Sequence, residues 1–118
     1  MFRQEDGVTI AKTYGIDLDA SEAESKDWRY SQGVAGKDLY YWYVGQLHVE
    51  YLEVPAAPDR AACERTGYSN DGMSADQVVS GTTLCVKTSA GKLARVVIRQ
   101  VNPGENGSLV LDILVWQK

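Results

Sequence analysis

The sequence predicts a mainly β fold, a small β-sandwich or open barrel with one short helix that a disulfide links to the sheet. Three observations lead there. Apolar and polar residues alternate with period two through much of the second half, which marks strands with one buried face. Strong turn formers punctuate these runs, most densely at Asn102-Pro103-Gly104-Glu105-Asn106-Gly107. Residues 58–67 alone combine a proline near the start, good helix formers inside and a glycine at the end.

With 118 residues the chain fits one domain, 1–118, and is too short for two cores of ordinary size. Residues 8–12 and 14–18 read as one strand or as two interrupted at Gly15. Residues 19–27 are polar and acidic, the most loop-like stretch. The run Gly33-Val34-Ala35-Gly36-Lys37-Asp38 superficially suggests a phosphate loop, but its spacing fails the Walker pattern and it reads better as a turn. Residues 39–44 and 47–54 are rich in aromatic and β-branched side chains, and Gly45-Gln46 between them suggests a hairpin.

The helix expected over 58–67 follows, and Ser74-Ala75-Asp76-Gln77 has the form of a capping box that adds one helical turn. Residues 84–88 and 93–101 form a hairpin through Ser89-Ala90-Gly91, and Leu109, Leu111, Ile113 and Val115 give the last strand an apolar face. Residues 84–117 are thus a three-stranded meander. The other face, with Val110, Leu114 and Trp116 around Asp112, is also largely apolar, so a further element should cover it, the helix being one candidate. The expected total is six or seven strands.

Composition excludes some classes. Twelve Lys and Arg stand against 16 Asp and Glu, for a net charge of −4, and the basic residues are scattered. That is a poor surface for nucleic acid. No apolar run approaches the roughly 20 residues that span a bilayer. Residues 1–7 have neither the basic nor the apolar region of a secretory signal, so an exported form is expected to be a mature segment. Two cysteines without a ligand cluster are either a disulfide or a pair of buried thiols. Their setting favours the bridge, because Cys63 falls in the helix and Cys85 in a strand, and closing the loop between them contributes about 3 kcal/mol. A disulfide implies an oxidising, extracytoplasmic compartment.

The candidate chemistry is sparse. His48 is the lone histidine and shares a strand face with Glu50 away from Leu47 and Val49; no nucleophile-elbow pattern accompanies it. Asp17, Asp19, Glu22, Glu24 and Asp27 could supply two carboxylates to a glycosidase, but a solvated loop offers no burial to separate their pKa values. Asp17, Asp19 and Ser21 have the alternate spacing of a calcium loop without its glycine or closing glutamate, so no metal and no cofactor is expected.

The unusual feature is aromatic: Tyr40-Tyr41-Trp42-Tyr43, with Trp28, Tyr30 and Tyr51 near in sequence. Alternation sends Leu39, Tyr41 and Tyr43 to one face as core and leaves Tyr40 and Trp42 on the other. Tyr40, Trp42, Trp28 and Tyr30 are therefore the expected binding residues for a protein or glycan partner, since exposed Tyr and Trp make rigid amphipathic contacts.

The phrases Tyr14-Gly15-Ile16-Asp17-Leu18-Asp19, Asp38-Leu39-Tyr40-Tyr41, Cys63-Glu64-Arg65-Thr66-Gly67-Tyr68, Leu84-Cys85-Val86-Lys87-Thr88-Ser89-Ala90-Gly91-Lys92 and Val115-Trp116 resemble small extracytoplasmic domains of actinobacterial proteins. Such accessory or sensor domains occur in secreted proteins, lipoproteins and receptor-type serine/threonine kinases. The resemblance implies an exported binding or regulatory domain with a disulfide and transfers no catalytic residue. The leading expectation is a non-catalytic binding module; the alternatives are a small secreted hydrolase using loop carboxylates and a structural subunit of a secreted assembly.

Overall fold

The structure, a computed structural model, describes residues 2–54, 59–104 and 106–117. Two antiparallel sheets form from nine strands among these residues. The larger has the order β1-β9-β8-β7-β6, built from Arg3–Ala11 (β1), Tyr51–Val54 (β6), Thr83–Lys87 (β7), Leu93–Asn102 (β8) and Ser108–Val115 (β9). The smaller has the order β3-β2-β4-β5, from Tyr14–Ile16 (β2), Ser31–Gln32 (β3), Leu39–Tyr41 (β4) and Leu47–Val49 (β5). The fold is mainly β, as its alternation predicts.

The C-terminal meander forms as expected. Its first turn closes with Thr88 N–H donating to the Lys92 carbonyl at 2.9 Å and Gly91 N–H to the Thr88 carbonyl at 2.9 Å. On β9 the expected residues, Leu109, Leu111, Ile113 and Val115, are buried. They pack with Leu84, Val86, Val96 and Ile98 of the same sheet against Ile16, Leu39, Tyr41, Leu47 and Val49 of the smaller one. Of the expected turn at 102–107, Glu105 lies outside the described residues. The expected first strand is longer than its apolar run, because its polar start pairs with β9 from Arg3↔Val115. A bulge between Glu5 and Val8 is pinned by Gly7 N–H donating to Asp112 Oδ1 at 3.0 Å.

Three expectations are corrected. Strand 39–44 ends at Tyr41, because Trp42 N–H donates to the Gln46 carbonyl at 2.8 Å and residues 43–45 make the turn, with Gly45 at φ +89°. A left-handed third position is the usual geometry of a three-residue hairpin loop, so the turn is not Gly45-Gln46. Tyr43 is consequently 67 % exposed and contributes nothing to the core. Strand 47–54 is two strands: β5 pairs with β4 and β6 with β7, the chain passing from one sheet to the other at Glu50. The helix is a single turn, α1 (Arg60–Cys63), capped by the Asp59 carboxylate accepting from Ala62 N–H at 2.8 Å; Pro58 lies outside the described residues.

The disulfide joins α1 to β7, Cys63 to Cys85, with both cysteines fully buried. Around it Val54, Leu52, Tyr68, Leu93 and Trp116 form a second apolar cluster on the far side of the large sheet. The helix therefore covers part of that outer face. No helix among the described residues is long and apolar enough to cross a membrane.

The acidic segment 19–27 is ordered by Arg3, whose buried guanidinium donates to the carbonyls of Ala20 at 3.1 Å, Ser25 at 2.8 Å and Lys26 at 2.6 Å. It also lies 3.7 Å from the centre of the Trp28 ring. A buried cation needs such a full set of acceptors.

Candidate functional site

Pairing places two of the expected aromatic residues at one site. In the hairpin β4–β5, Leu39↔Val49 and Tyr41↔Leu47 turn inward, while the intervening pair Tyr40↔His48 faces the other way. A third segment borders β5 through the bridge Leu47↔Met73 and the start of β6 through Tyr51↔Ser69. Met73 is the anchor, buried in the core, with N–H and carbonyl exchanging hydrogen bonds with Leu47 at 2.7 and 3.0 Å. Gly72 lets this segment approach, since a Cβ there would stand 2.9 Å from the Leu47 carbonyl oxygen and its φ is +79°.

Between the hairpin turn and this segment lies a cleft of about 230 Å³ lined by Trp42, Gln46, His48, Asp71, Ser74 and Gln77. The Trp42 indole is half-buried and braced edge-on by Tyr40, centroids 5.0 Å apart at 84°. Tyr40 itself is 7 % exposed, so its role is to hold Trp42 rather than to meet a ligand over a wide surface. The capping box expected at Ser74 is present in part, with Ser74 N–H donating to Gln77 Oε1 at 3.0 Å, although the segment makes a turn and no helix. Among the described residues, the Asp71 carboxylate, the His48 ring, the Gln46 amide and the Trp42 Nε1–H have no hydrogen-bond partner. The cleft thus combines an aromatic wall with uncommitted donors and acceptors.

The other two expected aromatics do not join it. Trp28 is 1 % exposed and belongs to the core, its Nε1–H donating to Glu5 Oε2 at 2.9 Å. Tyr30 stacks on Tyr14 at 5.0 Å, and its hydroxyl accepts from Ala11 N–H at 3.1 Å. Both are consumed in fixing the 20–32 region against β1 and β2.

A carboxyl cluster joins Asp17 and Asp19, which the sequence singled out, to Asp38, which it did not. Asp17, Asp19 and Asp38 bring carboxylate oxygens within 4.8 Å of one another. Ser21, expected beside Asp17 and Asp19, instead pairs with Glu24 in a local turn. Asp38 accepts from Leu18 N–H and from Ser89 N–H, each at 2.8 Å, and so ties the two sheets together. Its burial, followed by the Asp19 charge and a hydrogen bond to Asp17, pushes its carboxyl up to about 6. Burial also pushes Asp19 up, but hydrogen bonds from the Thr88 hydroxyl, Ala90 N–H and the Ser89 hydroxyl, with Lys92 nearby, outweigh it and hold Asp19 below its ordinary value. Neighbouring carboxyls with diverging protonation therefore do occur here, contrary to the reading of a uniformly solvated loop. Asp19 and Asp38 each have both oxygens engaged by donors of the protein itself, and Asp17 accepts from Asp19 N–H at 3.0 Å and from Arg29 at 3.3 Å.

Of the cleft residues, Gln46, Asp71, Ser74 and Gln77 escaped sequence reasoning. The available signal was Asp71-Gly72 beside Met73, a turn former followed by the one large apolar residue in a polar stretch. No protein-family model, curated protein or solved structure matches the chain.

Proposed function

We propose that this chain is a non-catalytic, extracytoplasmic saccharide-binding module that seats a sugar ring against Trp42. The observation that carries this reading is the half-buried indole, braced by Tyr40, over a cleft in which Asp71, His48 and Gln46 have no side-chain hydrogen-bond partner among the described residues. A sugar offers an apolar ring face for the indole and hydroxyls for Asp71, His48 and Gln46, which matches this mixture of groups. The buried disulfide supports the oxidising, extracytoplasmic compartment. Binding is favoured over hydrolysis by the engagement of the clustered carboxyls with donors of the protein, which leaves them poorly placed to protonate or attack a glycosidic bond.

The test is fluorescence titration with a panel of soluble oligosaccharides, on the native chain and on Trp42→Ala. Saturable quenching with the native chain, weakened by about 1–3 kcal/mol in the variant while its melting temperature stays close to native, is the expected result. A variant that binds as the native chain does would remove Trp42 from the site.

A further inference from the structure

Three steps in the sequence place aspartate or asparagine directly before glycine: Asp6-Gly7, Asp71-Gly72 and Asn106-Gly107. Such a step carries a reaction of its own, because a glycine N–H, unhindered by a Cβ, can close a five-membered ring on the γ-carbon of the preceding side chain. The reaction needs a side chain free to turn and a glycine N–H that is not held elsewhere.

The fold treats the three steps differently. Gly7 N–H, in the bulge of β1, donates to Asp112 Oδ1 at 3.0 Å. Gly107 is buried, and its N–H donates to the Gly104 carbonyl at 3.0 Å. Gly72 N–H has no acceptor among the described residues, and the exposed Asp71 carboxylate has neither a hydrogen bond nor an ion pair among them. The main chain is lightly held here as well. Between the bridges Tyr51↔Ser69 and Leu47↔Met73, residues 70–72 make one long hydrogen bond among the described residues, from Asp71 N–H to the Ser69 hydroxyl at 3.4 Å.

We infer that Asp71-Gly72 is a self-modification site, at which the chain rearranges through a succinimide to isoaspartate, and that of the two Asp-Gly steps it is the one the fold leaves reactive. Gly72 N attacks Cγ of the Asp71 carboxyl group in its acid form. The N–Cγ bond forms, the Cγ–OH bond breaks, and the hydroxyl leaves as water with the amide proton. Water then adds to one of the two ring carbonyls. Addition at Cγ restores aspartate; addition at the main-chain carbonyl carbon breaks its bond to Gly72 N, so that the peptide runs through Cβ and Cγ and the carboxylate sits on Cα. Water is the sole co-reactant. The product carries one more main-chain carbon between the two bridges, and the carboxylate that lines the Trp42 cleft changes position.

The experiment ages the native chain in warm, mildly acidic buffer, then reduces, alkylates and cuts it with trypsin, which places Asp6 in peptide 4–12 and Asp71 in peptide 66–87. Isoaspartate is measured in each peptide with a protein isoaspartyl methyltransferase and located by fragmentation mass spectrometry. It should accumulate at residue 71 several-fold faster than at residue 6, preceded by a form of peptide 66–87 lighter by one water. In chain reduced and unfolded before ageing, the two sites should react at similar rates. Asp71→Glu, whose longer side chain would have to close a six-membered ring, should lose the signal in 66–87 and keep the native rate at Asp6. Equal rates in the folded chain, a faster Asp6, no isoaspartate at residue 71, or a signal in 66–87 that survives in the variant overturns the inference.

Discussion

Asparagine at position 38 removes the carboxyl that joins the 17–19 loop to the turn between β7 and β8, and the consequence for stability has a definite sign. In the native fold this carboxyl is raised from an ordinary 3.8 to about 6, so the folded chain keeps a proton that the unfolded chain releases. The stabilisation from that proton is complete below 3.8 and is lost as pH rises through about 6. At full strength the displacement is worth about 3 kcal/mol, and water reaching its open side reduces it to about 1–2 kcal/mol. Asp19 acts in the opposite sense: its carboxyl is held below 3.8, so its contribution is lost on acidification beneath that value and is flat across the Asp38 window. The assay is urea denaturation from about pH 4 to about pH 7 at constant ionic strength, on the native chain and on Asp38→Asn. The amide keeps one acceptor oxygen for two N–H donors, so the variant loses about 1–3 kcal/mol at the acid end. Its profile should nevertheless be flatter. Asp17, Asp19 and Lys92 in the cluster, and Lys37, His48, Glu50 and Lys87 in the depression beside it, are the same in both proteins, so the difference between the curves isolates Asp38. A native profile that rises across the window, or a slope unchanged in the variant, would refute this account.

Three further outcomes follow from the packing. Replacing Cys63 and Cys85 together by serine opens a loop with a sequence separation of 22 and should cost about 3 kcal/mol, while thiol titration of the unfolded, unreduced native chain should find no free thiol. Trp28→Ala should cost about 3–5 kcal/mol of stability, measured by denaturation, and leave the saccharide affinity of the folded protein unchanged. Arg3→Ala strips donors from the carbonyls of Ala20, Ser25 and Lys26, so limited proteolysis should cut the 20–28 segment faster than in the native chain.

The meander was legible because each of its strands carries its own period-two pattern and is closed by residues that favour turns. The switch of strand 47–54 between sheets at Glu50 was not, since alternation continues through that residue and nothing local marks a change of partner. Trp28 and Trp42 show the same limit at the level of the site. Both lie in polar, aromatic-rich surroundings, yet Arg3, 25 residues before Trp28, seals one indole into the core, while a three-residue turn leaves the other half open. Asp38 read as the end of a turn, and only tertiary packing against Leu18 and Ser89 makes it an acid with a displaced pKa. Side chains whose environment comes from distant segments are hidden from local pattern, whereas Tyr40 and Trp42, neighbours on one face, could be paired from spacing alone.

The central claim is that a sugar ring meets Trp42. The chain has three tryptophans, Trp28, Trp42 and Trp116, and a ¹⁵N-labelled sample resolves one indole N–H signal for each. Titration with the oligosaccharide that quenches fluorescence most strongly should shift the Trp42 signal progressively to saturation while the sealed Trp28 signal stays in place. A Trp42 signal that does not move at saturating ligand, or a response confined to Trp116 beside the disulfide cluster, would contradict the account.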